Sequence, residues 1–211
     1  MAAAQAETLI MHFTPIANLP GIVEQGGMWC DAAMSQIGGP SVDCAAADIK
    51  ARRREIPITA SPYGSVGDYV PFYFAPRSPM LFRIHKGGVS TYGGGQDTLI
   101  YLVSSVERVT AAGLNWVGSD GNCAAYITQH YNDWNELHNE VDWPLMKERY
   151  WSDTEEDGDR VRRRQAEFLV HRFLPLHCIG AIITKSEEVA KQARAIVGNN
   201  IPVHVRPNWY F

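Results

Sequence analysis

No stretch of the sequence approaches the ~20 consecutive apolar residues that a membrane-spanning helix needs, and the opening MAAAQAETLI has no basic region followed by a long apolar run. A soluble, cytoplasmic protein without a membrane partner is therefore expected. Cysteine is sparse. Cys30, Cys44, Cys123 and Cys178 lie far apart with no C-x-x-C pair, which leaves no basis for a disulfide framework or a zinc knuckle and points to free thiols and no metal. The usual nucleotide signatures are missing too: no G-x-G-x-x-G follows a strand and opens a helix, and there is no Walker A sequence. Tyr92 to Gln96 (YGGGQ) fits neither pattern and reads as a hairpin turn. H-E-x-x-H and G-x-S-x-G are likewise absent, so His85, His130 and His204 read as surface or packed residues. Positive charge is in deficit, with 19 Lys and Arg against 23 Asp and Glu for a net −4. This excludes a protein that grips nucleic acid with its whole surface. Two local clusters remain, Arg52 to Arg54 and Arg160 with Arg162 to Arg164, each by itself an ordinary solvated helix face.

What is present is enough for one core. At 211 residues and 45% hydrophobic content, residues 1–211 read as a single domain, without repeats or a linker. Leu9 to Thr14 alternates as a strand does, placing His12 and Thr14 on one face. Asn18 is the expected N-cap of a short helix that Gly26 ends. Met28 to Ser65 reads as a covering loop around a helix near Ala45 to Arg54. Asp68 to Phe74 is a β-prone aromatic run in which Pro71 removes a ladder donor and predicts a bulge or an edge. Pro79 to His85 reads as a helix and Thr98 to Ser104 as a buried strand. Trp116 to Trp151 holds four of the six tryptophans, with helices expected near Ile127 to Glu140 and Pro144 to Arg149. Gln165 to His171 is a strand placing Glu167 beside Leu169, an odd neighbour for a charge. Ile179 to Thr184 and Val203 to Val205 are further strands, separated by a helix that Ser186 caps. Strands with few helices between them predict an α+β fold on a mixed or mostly antiparallel sheet.

The candidate chemistry is dispersed: His12 and Thr14 early, arginines at 52 to 54, aromatics around Tyr73, and Glu167 late. Their order and wording resemble the DarT family, toxins of toxin–antitoxin pairs with an ADP-ribosyltransferase fold related to the poly(ADP-ribose) polymerases. The matching stretches are MHFTPIANLPGIVEQGG, IKARR, DYVPFYFAPRSPML, LVSS, RRQAEFLV and NWYF. The resemblance implies a PARP-like fold, mixed or antiparallel central sheets with peripheral helices. It also implies NAD as co-substrate without a metal, and transfer of ADP-ribose to a base of single-stranded DNA. Thymine is the favoured acceptor and guanine the other choice.

The resemblance further implies that His12, Phe13 and Thr14 line the NAD pocket, that Gly21, Trp29 and Tyr73 border it, that Arg53 contacts the cofactor, and that Glu167 is the catalytic carboxylate. Residues 118–164 would meet the DNA, with Arg77, Asn122, Arg162 and Arg163 as candidate contacts and Trp116 and Tyr126 as stacking surfaces. Many relatives carry a histidine in an F-T-D-x-H stretch before this insertion, where this chain reads GSDGN and has Asn122. Blocked replication and a cognate macrodomain antitoxin follow from the same resemblance, and a monomer is expected. The competing readings are an ADP-ribosyltransferase acting on protein or RNA, and a catalytically silent NAD- or nucleic-acid-binding module.

The chemistry suits these residue types. Breaking the nicotinamide–ribose bond develops positive charge that a nearby carboxylate stabilises. An arginine fork matches phosphate geometry.

Overall fold

The computed structural model describes residues 7–45 and 47–211. The chain opens with β1 (Leu9–Pro15), α1 (Leu19–Glu24), β2 (Gly27–Trp29), α2 (Asp31–Gln36) and α3 (Ala47–Arg54). It continues through β3 (Tyr69–Tyr73), α4 (Pro79–His85), β4 (Leu99–Ser105) and α5 (Val106–Ala111). The tryptophan-rich segment holds β5 (Trp116–Ser119), β6 (His130–Tyr131), α6 (Trp134–Glu140), α7 (Trp143–Lys147) and α8 (Arg160–Arg163). Last come β7 (Glu167–His171), β8 (Phe173–Pro175), β9 (Ala181–Thr184), α9 (Glu187–Val197) and β10 (Val203–Val205).

Eight strands form one sheet in the order β10-β9-β4-β1-β3-β7-β5-β6, and β2 pairs with β8 in a second, two-stranded sheet. β9 and β10 run parallel, while the other neighbours are antiparallel. The mixed α+β expectation therefore holds. Strand alternation distributes the core: Ile10, Ile100, Leu102, Phe72 and Phe168 face one cluster with α9, and Met11, Phe13, Tyr101 and Val103 face another with α4. β4 is buried at all seven positions, as a continuous apolar run requires.

Three local expectations are corrected. Pro71 lies in an interior strand, not at an edge: β3 pairs with β7 from Tyr69 to Tyr73, but with β1 only through Met11 and Tyr73. The missing proline donor falls where β1 and β3 part. The 28–65 region is more ordered than a covering loop, since it adds β2 and α2 to the helix expected there. YGGGQ joins a helix to a strand and is not a hairpin turn.

The insertion is docked onto the sheet. A side chain at Gly118 would collide with the Leu137 methyl groups, so the glycine lets α6 lie directly on β5. Trp116 stacks on Phe168, centroids 4.7 Å apart, so one face of its indole is packed against the sheet. Tyr126 is fully exposed at the tip of the loop between β5 and β6.

Candidate functional site

The parting of β1 from β3 opens a cavity of about 490 Å³. His12 and Thr14 lie on the opposite sheet face from Met11, the partner of Tyr73. The split lets groups from both faces line one space, so His12, Thr14 and Tyr73 meet there with Gly21, Trp29 and Arg53. Phe13 also lines it, with its ring packed edge-on against Tyr101 at 5.9 Å.

His12 fills the gap that proline leaves. Its Nδ1–H donates to the Pro71 carbonyl at 2.8 Å, an acceptor with no proton to give, which makes Nε2 an acceptor. Burial lowers the His12 pKa, opposed in part by that hydrogen bond, so the imidazole is neutral at pH 7. Asn18 takes a position at the start of α1, but its side chain does not cap the helix. It donates to Thr14 Oγ1 at 2.9 Å and exchanges two 2.8 Å bonds with the Val42 backbone. The residue expected to cap a helix instead ties the segment after α2 to β1. Lys50 of α3 pairs with Asp31 at 2.7 Å and with Asp43 at 2.6 Å, and Arg54 also pairs with Asp31. Together these contacts seat α3 along one wall of the cavity.

Arg53 and Glu167 face each other as a fork and a carboxylate. Nη1 donates to Oε1 at 3.0 Å and Nη2 to Oε2 at 2.6 Å. Glu167 is 1% exposed. Its Oε1 also accepts the Cys123 N–H at 3.3 Å, and its own N–H donates to Ser119 Oγ at 3.1 Å. Burial alone would lower the Arg53 pKa, but the charge and hydrogen bonds of Glu167 outweigh it and hold the pKa above the usual guanidinium range. Tyr73 sits opposite Glu167 in the ladder. Burial and the Glu167 charge raise its pKa, so it stays a phenol. Arg53 and Tyr73 line the cavity, whereas Glu167 lies behind them and is not among the lining residues. Cys123, buried beside this pair, is likewise raised by burial and by Glu167 and remains a thiol.

Asn122 and Gln165 extend the lining toward the insertion. Asn122 Nδ2 donates to Gln165 Oε1 at 3.0 Å, and its Oδ1 accepts the Ala124 N–H at 2.8 Å. Two of the three arginines expected to hold DNA pair with acids of the insertion. Arg162 binds Asp120 at 3.0 Å and Asp159 at 2.8 Å, and Arg163 binds Asp142 at 2.5 Å as well as Asp157. Neither lines the cavity. These ion pairs tie separate parts of the insertion together. Arg77 lies outside the lining, at a bend just after β3. Sequence reasoning assigned no site role to Asn18, Lys50, Ser119, Cys123 or Gln165: Asn18, Lys50 and Gln165 stand inside the matching stretches, but their contacts with Val42, Asp31 and Asn122, like those of Ser119 and Cys123 with Glu167, join segments far apart in the chain.

The family model for the ssDNA thymidine ADP-ribosyltransferase, DarT, matches residues 11–211. A DNA ADP-ribosyl transferase of Mycobacterium tuberculosis is 33% identical over 209 residues, spanning 96% of this chain and 89% of that protein. The structure of Thermus sp. 2.9 DarT in complex with ADP-ribosylated ssDNA matches with a TM-score of 0.89 at 33% identity, covering 97% of each chain. The same Thermus protein in complex with NAD+ matches at 0.85 and 31% identity, over 99% of this chain and 100% of that one. A DNA ADP-ribosyl transferase-DNA ADP-ribosyl glycohydrolase fusion protein of Thermosipho africanus is 27% identical over 96% of this chain, which spans 49% of the fusion.

Proposed function

The chain belongs to the DarT family of ssDNA thymidine ADP-ribosyltransferases, and from that premise we propose that Arg53 and Glu167 are the catalytic pair of a single transferase domain spanning residues 1–211. The enzyme transfers ADP-ribose from NAD to single-stranded DNA. The observation that carries the site assignment is the bidentate Arg53–Glu167 pair, with Arg53 on the wall of the 490 Å³ cavity and Glu167 buried behind it.

NAD supplies the ADP-ribose: its nicotinamide–ribose bond breaks, the bonding pair leaves with nicotinamide, and the anomeric carbon gains positive charge. His12 accepts a ribose hydroxyl at its free Nε2, and Thr14 adds a hydroxyl on the same face. Gly21, where no atom stands within 4 Å of an added Cβ, keeps the wall open, and Trp29, 40% exposed, borders it. Arg53 offers its fork to the diphosphate and stays charged throughout. Glu167 stabilises the developing positive charge once Arg53 turns part of its fork to the phosphate. It also receives the proton that a thymine ring nitrogen loses on bonding to the anomeric carbon, because in this pair the carboxylate has the lone pairs and the arginine has none. That nitrogen lies on the Watson–Crick edge, which duplex DNA hides. Asn122, beside the cavity, meets the acceptor nucleotide.

A cognate glycohydrolase with a macrodomain would remove the modification, which in excess blocks replication; the Thermosipho fusion, whose name joins both activities, supports this partner. We take the enzyme to act as a monomer.

The test is incubation with NAD and a panel of single-stranded DNA, matched duplex, RNA and protein, followed by mass analysis. Adducts confined to single-stranded DNA, on thymine by fragmentation, are the expected result. Label on RNA or protein overturns the assignment, and so does NAD binding without any label.

A further inference from the structure

The ladder between β5 and β7 ends one pair short of the Glu167 carboxylate. It runs from Trp116 and Val170 to Gly118 and Phe168, which leaves Ser119 and Glu167 next in register. There the Glu167 N–H is satisfied by a side chain, donating to Ser119 Oγ at 3.1 Å. Ser119 is 0% exposed, and its hydroxyl, with one proton and two lone pairs, is fully used. It gives the proton to the Gly121 carbonyl at 2.7 Å and accepts both the Glu167 N–H and the Cys123 S–H, the latter at 3.4 Å. These contacts close residues 119–123 into a turn. Gly121 stands inside it because a Cβ there would collide with the Arg162 guanidinium.

The far end of the turn comes back to the carboxylate, where the Cys123 N–H donates to Glu167 Oε1 at 3.3 Å. Ser119 therefore touches Glu167 at its main chain and, through the turn, sets the donor that meets its side chain. The other bonds to the carboxylate come from the Arg53 fork. The two sources differ in what the reaction asks of them. Arg53 has two anions to serve, Glu167 and the diphosphate, and turns part of its fork away from the carboxylate. A backbone amide has no second partner to move to, so it keeps the carboxylate aimed while charge develops at the anomeric carbon. Asn122 belongs to the same turn, its own N–H held by the Arg162 carbonyl at 3.0 Å.

We propose that Ser119 is a positioning residue for Glu167: its hydroxyl locks the 119–123 turn so that the Cys123 N–H holds the carboxylate in its reacting orientation. This rests on the catalytic role assigned to Glu167 above. Ser119 does not line the cavity and touches neither NAD nor DNA; its effect on the reaction passes through Glu167.

The test is transfer from NAD to a thymine-containing single-stranded oligonucleotide by Ser119→Ala and the unaltered enzyme, with rates normalised to the fraction that binds NAD. In Ser119→Ala kcat should fall about tenfold, the worth of one hydrogen bond to a charged group, while KM for NAD and for DNA each stay within about twofold. Ser119→Thr, which keeps the hydroxyl, should recover most of the rate. A residue that served the fold alone would slow every background equally, so the deciding readout is the double variant. In the Glu167→Gln background, Ser119→Ala should slow single-turnover transfer by less than about twofold, because the group it positions is already gone. If Ser119→Ala does not fold, Ser119→Cys, similar in size with weaker hydrogen bonding, carries the same comparison. The proposal is overturned if the folded Ser119 variant keeps its kcat, if its loss lies in KM alone, or if the tenfold loss persists on top of Glu167→Gln. Failure of the catalytic role of Glu167 reads differently: Glu167→Gln would then transfer at the full rate, and the positioning role of Ser119 would fall with it.

Discussion

Three consecutive arginines in α3 have three fates. Successive helical residues point about 100° apart, so Arg53 meets Glu167, Arg54 turns to Asp31, and Arg52 stays exposed. The run alone cannot tell them apart; the fold selects one by placing a single carboxylate across from it. Removing that carboxylate should affect both rate and stability. Glu167→Gln takes away the negative charge and sets an amide donor against the guanidinium. We expect kcat to fall by about 10² to 10³, as for loss of a preorganised electrostatic group. We also expect a drop in Tm of several degrees, because Arg53 is left without its acid. Single-turnover transfer and calorimetry check both. Full transfer by this variant would remove Glu167 from the mechanism.

At the scale of elements, legibility followed period and length. β1, α4 and α9 stand close to where alternation, Pro79 and the Ser186 cap put them, with Ser186 Oγ accepting from Val189 N–H. β2 and α2 were not legible, because a three-residue strand whose partner is β8 far along the chain carries no periodicity of its own. Pro71 was read correctly as a lost donor and wrongly as an edge, since a single sequence cannot distinguish a free edge from a gap between two strands. Glu167 was legible as an anomaly on an apolar face; its neighbours Ser119 and Cys123 were not, because they come from the adjacent strand β5 and the loop after it, more than forty residues earlier in the chain.

The insertion illustrates the same limit. Arg162 read as a DNA contact, yet its guanidinium joins Asp120, Asp159 and Thr128, fixing the loop that carries Asn122. Arg162→Ala should therefore speed hydrogen exchange across residues 120–129 and reduce transfer about tenfold, while the salt dependence of DNA binding stays the same. A reduced salt slope with unchanged exchange would return Arg162 to the DNA.

For the molecule as a whole, the response to acid should be set by histidine before carboxylate. Burial is the largest cause lowering the pKa of His12, His130 and His171 below the ordinary 6.5. Each binds a proton less readily folded than unfolded, so protonation favours unfolding. The stability they contribute is complete above about pH 6.5 and is lost as pH falls below it toward each lowered value. Asp31 is also shifted down: burial would raise it, but Arg54 and Lys50 outweigh burial. Its contribution is present above its ordinary 3.8 and stays constant through the histidine window. Tm should therefore decline between pH 7 and pH 5 and decline again only nearer pH 4. The first decline should be accompanied by weaker NAD binding, because a protonated His12 loses the Nε2 lone pair that faces the cavity. Calorimetry across this range, with His12→Gln alongside, separates the contributions: the variant should show a shallower first decline and a pH-independent NAD affinity. A Tm that holds level from pH 7 to pH 5 would mean that the three histidines titrate alike in the folded and unfolded chain, and the neutral His12 assigned to the ribose would lose its support.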